Sequence, residues 1–139
     1  MPAECAYDYA IVRLVPRVER GETINVGVIL SCPERDYLAA RIELDAARIR
    51  ALHPGFDIEI VRAHLDAIPR ICRGGPEAGA LGALPARASF HWLVAPRSTV
   101  IQISPVHTGR TDDPAAALER LVDALVRTAR SSPTRGPDS

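Results

Sequence analysis

The sequence of 139 residues contains no lysine, and all 17 of its basic residues are arginines. This absence excludes any reaction that needs a lysine nucleophile or a Schiff base. The 17 acidic residues bring the net charge to zero, which argues against a large non-specific nucleic-acid footprint. The chain has only three tyrosines, two phenylalanines and one tryptophan, too few for an extended surface that stacks on bases. Nucleic acid is therefore a disfavoured partner.

Cysteine and long apolar runs are also scarce. Cys5, Cys32 and Cys72 are widely spaced and form no C-x-x-C pair, so neither a zinc knuckle nor a redox motif is supported. We interpret them as small buried thiols. No apolar run approaches the ~20 residues that span a bilayer, and the first residues lack the features of a signal peptide. We expect a cytoplasmic protein with no membrane partner.

Known catalytic and cofactor motifs are missing as well. No P-loop, Rossmann glycine pattern or G-x-S-x-G sequence occurs. The histidines show no H-x-H, H-x-x-x-H or H-E-x-x-H spacing; they are His53, His64, His91 and His107. The sequence therefore predicts no cofactor and no metal, and it favours a protein that is not an enzyme.

The amino-terminal third has the pattern of a long β-hairpin. Two apolar, β-rich runs, residues 7–15 and 24–32, flank a charged turn that contains Gly21. The first run is apolar on both faces, which is typical of a strand inside a sheet. In the second run we expect the even-numbered residues from Ile24 to Cys32 to face one way, with a bulge or a close approach at Gly27. A third strand, residues 37–44, alternates between a buried and a wet face and completes a meander.

Helices are predicted where capping residues precede apolar stripes. Asp45 caps a short helix over 46–52, Asp57 caps one over 57–72, and Asp113 with Pro114 starts one over 114–130. Pro69 should kink or end the second helix. The glycine-rich stretch 73–86 is predicted to be a mobile loop.

The remaining stretches are short. Residues 89–94 fit either a strand or a helix, 99–104 fit a strand, and 106–113 fit a polar loop. The fold class is α+β, an antiparallel sheet of about four strands with helices packed on it. Residues 1–130 form a single domain, and 131–139 are predicted to be a disordered tail.

One polar cluster suggests a binding site. Arg97 should sit at the mouth of the 99–104 strand and His107 just past its exit, where an arginine with hydroxyls and free amides binds a carboxylate or a phosphate. The alternative is an ordinary loop with a salt bridge and a strand with one wet face. The candidate residues of this cluster are Arg97, Ser98, Thr99, Gln102, Ser104 and His107.

Two further polar residues interrupt apolar strands. Arg13 and Asn25 are added to the candidate ligand-binding set, although a structural ion pair would also explain Arg13, since an unpaired buried charge is costly. His107 with Asp112 and Asp113 could form part of a metal site, but Asp113 is better explained as a helix cap.

The two signature stretches resemble a known family. Residues 7–16 with 25–30, and residues 92–99 with Gln102, Ser104, Gly109 and 112–114, are similar to the small bacterial proteins called DUF3037. The resemblance covers residues 6–130. It implies a stand-alone cytoplasmic protein of unknown function, often encoded beside a kinase that resembles the HipA toxin kinases, and it supplies no catalytic residue.

Three function classes follow. The leading one is a non-catalytic accessory protein that binds a protein or peptide partner, such as a HipA-like kinase or its substrate, with the sheet edge at 37–44 available to accept a strand. The alternative is a small enzyme or ligand-binding protein that acts on an anionic molecule at the Arg97 and His107 cluster. Nucleic-acid binding is the third and is disfavoured by the zero net charge.

Overall fold

The sheet contains five antiparallel strands, with helices on both faces. The computed structural model describes residues 3–75, 82–95 and 100–127. The strands are β1 (Cys5–Leu14), β2 (Ile24–Cys32), β3 (Tyr37–Ile42), β4 (Ile101–Ile103) and β5 (His107–Thr111). This confirms the α+β class and the antiparallel sheet, with one strand more than the four expected.

Strand β1 lies at the centre of the sheet. One side pairs with β2, as the predicted hairpin requires, and β3 follows on the far side of β2. The other side of β1 pairs with two short strands in succession: β5 along residues 5–9 and β4 along residues 12–14. Between them Ser104 maintains the pairing, because its amide donates to the Ile11 carbonyl at 2.9 Å.

The prediction that 106–113 is a loop was wrong, because β5 occupies most of it. His107–Thr111 has no strong β pattern of its own, yet its backbone completes the edge of β1. Strand formation depends on pairing partners more than on local propensity, and the partner here lies about a hundred residues away in sequence.

A β-bulge at Val26 changes the face of every later side chain of β2. Val12 pairs with Gly27 and Arg13 pairs with Asn25, so Val26 has no partner on β1. Ile24 and Val26 therefore belong to one core cluster, whereas Val28, Leu30 and Cys32 belong to the other. The expectation that all five face one way was wrong beyond the bulge.

The sheet separates two cores. On one face lie α1 (Ala46–Leu52), α2 (Ile58–Arg73) and α3 (Ala86–Val94), and on the other lies α4 (Pro114–Leu125). The core under the first three helices includes Val12, Leu14, Ile29, Ile49, Leu65 and Phe90. The core under α4 includes Cys5, Val28, Leu30, Cys32, Leu118 and Val122.

The three predicted helix starts agree with the sequence, and so does the end of α2. The carboxylates of Asp45, Asp57 and Asp113 accept backbone amides of the first turns of α1, α2 and α4. Helix α2 ends at Arg73, one residue beyond the predicted 57–72, and Gly74 then closes it through its amide. Pro69 does not end the helix, because proline removes one donor and four further residues still complete a helical turn.

Other boundaries are now settled. Residues 89–94, left open between strand and helix, are helical and belong to α3. The face of β3 predicted to be wet is only partly so, because Tyr37 and Ala39 pack under α4 whereas Arg41 is exposed. Residues 76–81, in the predicted mobile loop, and the predicted tail 131–139 lie outside the described residues.

Candidate functional site

Among the described helices, only α4 packs on its face of the sheet. It packs on β2 and β3, and the core cluster on this face contains no other described helix. We call the other half, over β1, β4 and β5, the open face. The strand register places six side chains there, of which Ile11 is buried: Tyr7, Tyr9, Ile11, Arg13, Gln102 and His107.

One end of the open face is aromatic. The ring centroids of Tyr9 and His107 are 5.3 Å apart and those of Tyr7 and Tyr9 are 6.1 Å apart, with tilted planes. The Tyr7 ring lies over Gly109, where an added Cβ would stand 2.5 Å from the Tyr7 hydroxyl oxygen. A glycine opposite Tyr7 therefore permits this ring to lie flat on the sheet. The imidazole of His107 is exposed.

The other end of the open face is polar. Arg13 stands between Asn25 of β2 and Gln102 of β4, its partners in the strand register, so these three candidate residues form one row across the sheet. Asn25 also has a structural role, because its Nδ2 donates to the Leu125 carbonyl at 3.0 Å at the end of α4. The row joins the sheet to the last turn of α4.

The structural ion pair expected for Arg13 is not found within the described part of the chain. No carboxylate of residues 3–75, 82–95 or 100–127 pairs with its guanidinium. Arg13 is partly exposed rather than buried, so water can solvate the charge and no carboxylate is required. The side chain is therefore available for contact with another molecule.

Ser104 is buried, and its hydroxyl is bonded to the backbone. It is 3% exposed, its Oγ accepts the Ile11 amide at 2.8 Å, and the hydroxyl donates to the Pro105 carbonyl. Both hydrogen bonds serve the backbone where β4 passes into β5. A role for Ser104 in ligand binding stays a prediction.

The predicted anion site is only partly described. Arg97, Ser98 and Thr99 lie outside the described residues, so their role stays a prediction. Among the others, His107 lies beside Tyr9, four residues along β1 from the row of Arg13. At roughly 3.3 Å per residue the two backbone positions are about 13 Å apart along the sheet.

A tether on the opposite face was missed by the sequence analysis. Arg87 of α3 pairs with Asp8 at 2.6 Å and donates to the Ser31 hydroxyl at 3.0 Å. Its guanidinium also lies 5.1 Å from the centre of the Phe90 ring. The available signal was Asp8, an acidic residue inside an apolar strand, which requires a partner when it is covered.

A second missed feature fastens α4 to the sheet. Arg127 pairs with Glu43 at 2.6 Å, with Glu119 at 2.6 Å and with Asp123 at 3.4 Å, and Arg41 contacts Glu43 and Glu119. We call this the α4 ion-pair network. The hydrogen bonds that Arg127 donates to the Glu43 carboxylate lower the pKa of Glu43 and raise the pKa of Arg127.

A cleft of about 860 Å³ opens between the β1–β2 turn and the loop that joins α1 to α2. We call it the turn cleft. Its polar lining includes Arg20, Glu22, Arg48 and His53. The His53 side chain is only 9% exposed, and its Nε2 lies 3.5 Å from a carboxylate oxygen of Glu22. The sequence analysis did not single out these residues, since they come together only in three dimensions.

The described residues also bear on two other features, a metal site and a membrane-spanning helix. Within residues 3–75, 82–95 and 100–127, no group of three or more histidine, cysteine, aspartate or glutamate side chains is arranged to hold a metal ion. None of the described helices is both long and apolar enough to cross a bilayer.

Comparison with known proteins places the chain in a family. The model of the family described as "Protein of unknown function (DUF3037)" matches residues 9–126. The chain belongs to the DUF3037 family. The match includes all of β2, β3, β4 and β5, so the sheet described above is a feature of the matched region. No curated protein and no solved structure matches the sequence.

Proposed function

We propose that this DUF3037 chain is a non-catalytic, cytoplasmic accessory protein that binds a protein or peptide partner across the open face. The supporting observation is the linear arrangement of that face. Tyr9 and His107 lie at one end, and Arg13 lies about 13 Å away at the other, by the rise of a strand. The described candidate residues therefore form a strip along the sheet.

The chemistry of the strip suits a polypeptide. Tyrosine and arginine are enriched at protein interfaces, where they combine apolar area with hydrogen bonding. An extended segment of about four residues would span the distance from His107 to Arg13. The charge of Arg13 favours an acidic or carbonyl-rich group at that end of the partner.

The partner we propose is a HipA-like kinase or the peptide or protein substrate of such a kinase. The support is the gene neighbourhood that the family resemblance implies. The edge of β3 offers a second way to engage an extended segment, since β3 is the last strand on its side of the sheet. Helix α2 packs closely against β3, which makes the open face the preferred surface.

The test is binding to the kinase encoded beside this gene, measured by size-exclusion chromatography and isothermal titration. Tyr9→Ala and His107→Ala are each expected to weaken binding at least about tenfold if they are central contacts. His64→Ala is the matched control for His107→Ala, because His64 is also exposed but lies on α2, on the other side of the sheet.

Two results would overturn the proposal. One is the absence of any complex at micromolar concentration with either the kinase or its substrate. The other is an equal loss of binding in His64→Ala and His107→Ala. If Arg97→Ala abolishes cellular function while Tyr9→Ala does not, the alternative of an anion-binding protein or small enzyme replaces partner binding.

A further inference from the structure

We infer that the turn cleft binds a small organic molecule that has an anionic group, a carboxylate or a phosphate, on an apolar body. This site is separate from the open face. The cleft lies at the other end of the hairpin, between the β1–β2 turn and the helices of the opposite face. The inference therefore does not depend on the proposed function.

The charges around the turn cleft leave one guanidinium without a carboxylate, while Asp57, a second acidic residue of the lining, accepts the Glu59 amide at 3.0 Å as the cap of α2. Arg17 is paired with Glu19, and Arg20 is paired with Glu22 through two hydrogen bonds. Arg48 also lines the cleft, and within the described ranges no salt bridge involves it. A partly buried, unpaired arginine is the side chain that binds carboxylates and phosphates with two parallel hydrogen bonds.

Arg48 is held in position by its own helix. It lies in the first turn of α1, where its backbone amide donates to the Asp45 carboxylate at 3.0 Å. This bond uses the main chain and leaves the guanidinium free. The same side chain lines a second cavity of about 380 Å³ beside Glu43 and Asn25, so it stands at the wall between two open spaces.

His53 supplies a second polar group to the cleft. Its side chain is more than nine-tenths buried, and its one contact with a charged side chain in the described structure is with Glu22 at 3.5 Å. A neutral imidazole has one N–H to donate. A buried ring at the cleft wall can therefore donate to a bound anion while Glu22 remains paired with Arg20.

The apolar part of the ligand is indicated by two exposed side chains. Leu52 is 56% exposed and Ile60 is 66% exposed, and both line the cleft. They are the two most exposed large apolar side chains among the described residues. Phe56 also lines the cleft. Apolar area left in water beside an unpaired arginine is typical of a site for an amphipathic small molecule.

The experiment uses the full chain and four probes: 4-phenylbutyrate, phenyl phosphate, inorganic phosphate and the neutral 4-phenylbutanol. Binding is followed by two-dimensional NMR, with shifts expected at the backbone amides of Arg48 and His53. At least one of the two aryl anions should bind with a Kd below about 1 mM, and the better of them shows which anionic group the site prefers. Inorganic phosphate and the alcohol should each bind at least about tenfold more weakly, since phosphate lacks the apolar body and the alcohol lacks the anionic group.

Arg48→Gln should weaken binding of the aryl anion at least about tenfold, whereas Arg50→Gln should leave the affinity for this anion unchanged. Arg50 is the matched control because it lies on the same helix, is exposed and does not line the cleft. A thermal melt of each variant checks that the fold is intact. If Arg48→Gln melts more than a few degrees lower, His53→Gln replaces it as the test variant.

Three outcomes would overturn the inference: no binding of either aryl anion at about 10 mM, equal binding of the alcohol, or equal affinities in the Arg48 and Arg50 variants. None of these results affects partner binding through the open face, because the probes report only on the turn cleft.

Discussion

Ser104 makes two hydrogen bonds to the backbone of Ile11. Its side-chain oxygen accepts the Ile11 amide at 2.8 Å, and its own amide donates to the Ile11 carbonyl at 2.9 Å. A hydroxyl thus takes the place of a main-chain acceptor where β4 ends and β5 has not begun. Pro105 follows at once and has no amide to offer. Because the Ser104 hydroxyl replaces a backbone acceptor at this point, two separate strands, β4 and β5, can complete one edge of β1.

Replacing this hydroxyl should destabilise the protein. Ser104→Ala leaves the buried Ile11 amide without an acceptor, and we expect the free energy of unfolding to fall by about 1–3 kcal/mol. Urea unfolding followed by circular dichroism measures the change. Thr108→Ala, at an exposed position of the neighbouring strand β5, is the control and should be nearly neutral. Equal effects in the two variants would contradict the role given to Ser104.

The close contact of β2 with β3 predicts a strong effect at Gly27. A Cβ there would stand 2.5 Å from the Ile42 Cδ1 and 2.6 Å from the Arg41 carbonyl oxygen. Because the second of these atoms is backbone, the strands must move apart, and Gly27→Ala should cost about 1–3 kcal/mol of stability.

Gly55→Ala is the matched control for Gly27→Ala, since nothing lies within 4 Å of a Cβ at Gly55 and its φ is not positive. It should be neutral or slightly stabilising, by less than about 1 kcal/mol, because alanine reduces the freedom of the unfolded chain. The same urea titration measures both variants. A neutral Gly27→Ala would show that the strands separate easily at this point.

The α4 ion-pair network predicts that stability depends on pH in the acid range. The Arg127 hydrogen bond lowers the pKa of Glu43 in the folded protein. The network therefore contributes its full stability above the unfolded glutamate pKa of about 4.3, and that contribution is lost as the pH falls through the lower folded value. Arg127→Gln should remove part of this dependence and lower the melting temperature at neutral pH.

Thermal melts from about pH 7 down to about pH 2 test this prediction, because the contribution is lost only below the unfolded glutamate pKa of about 4.3. Arg120→Gln is the control, since Arg120 is an exposed residue of the same helix, and it should keep the wild-type pH dependence. If Arg127→Gln and the wild type lose stability in parallel as the pH falls, the network does not fasten α4.

Burial of Cys72 predicts slow and strongly pH-dependent alkylation. Burial raises the pKa of the Cys72 thiol to about 12, and only the thiolate reacts with iodoacetamide. In the native protein the rate should still rise about tenfold per pH unit between roughly pH 9 and pH 10.5. In urea it should level off near the ordinary thiol pKa of about 8.5. Peptide mass spectrometry resolves Cys72 from the other two thiols, and a native rate that levels off near pH 9 would contradict the prediction.

Local patterns predicted the parts of the fold that depend on neighbouring residues. The hairpin, the three aspartate caps and the stripe of α2 are each encoded within fewer than thirty residues, and the structure confirms them. The face change after Val26 and the strand at His107–Thr111 were not predicted, because both depend on register with a distant strand. Arg13, Asn25 and Gln102 were chosen separately as polar exceptions, and only the sheet shows that they form one row. The turn cleft was missed because Arg48 and His53 have no distinguishing spacing.

The central position of β1 has a consequence for synthesis in the cell. Strand β1 needs Ile101–Ile103 and His107–Thr111, which follow it by about a hundred residues, to complete its second edge. Until those residues have been translated, one side of β1 has no partner, and unpaired strand edges invite association with other chains. Nascent copies of this protein should therefore rely on chaperones, and the last step of folding should follow, rather than accompany, translation of α4.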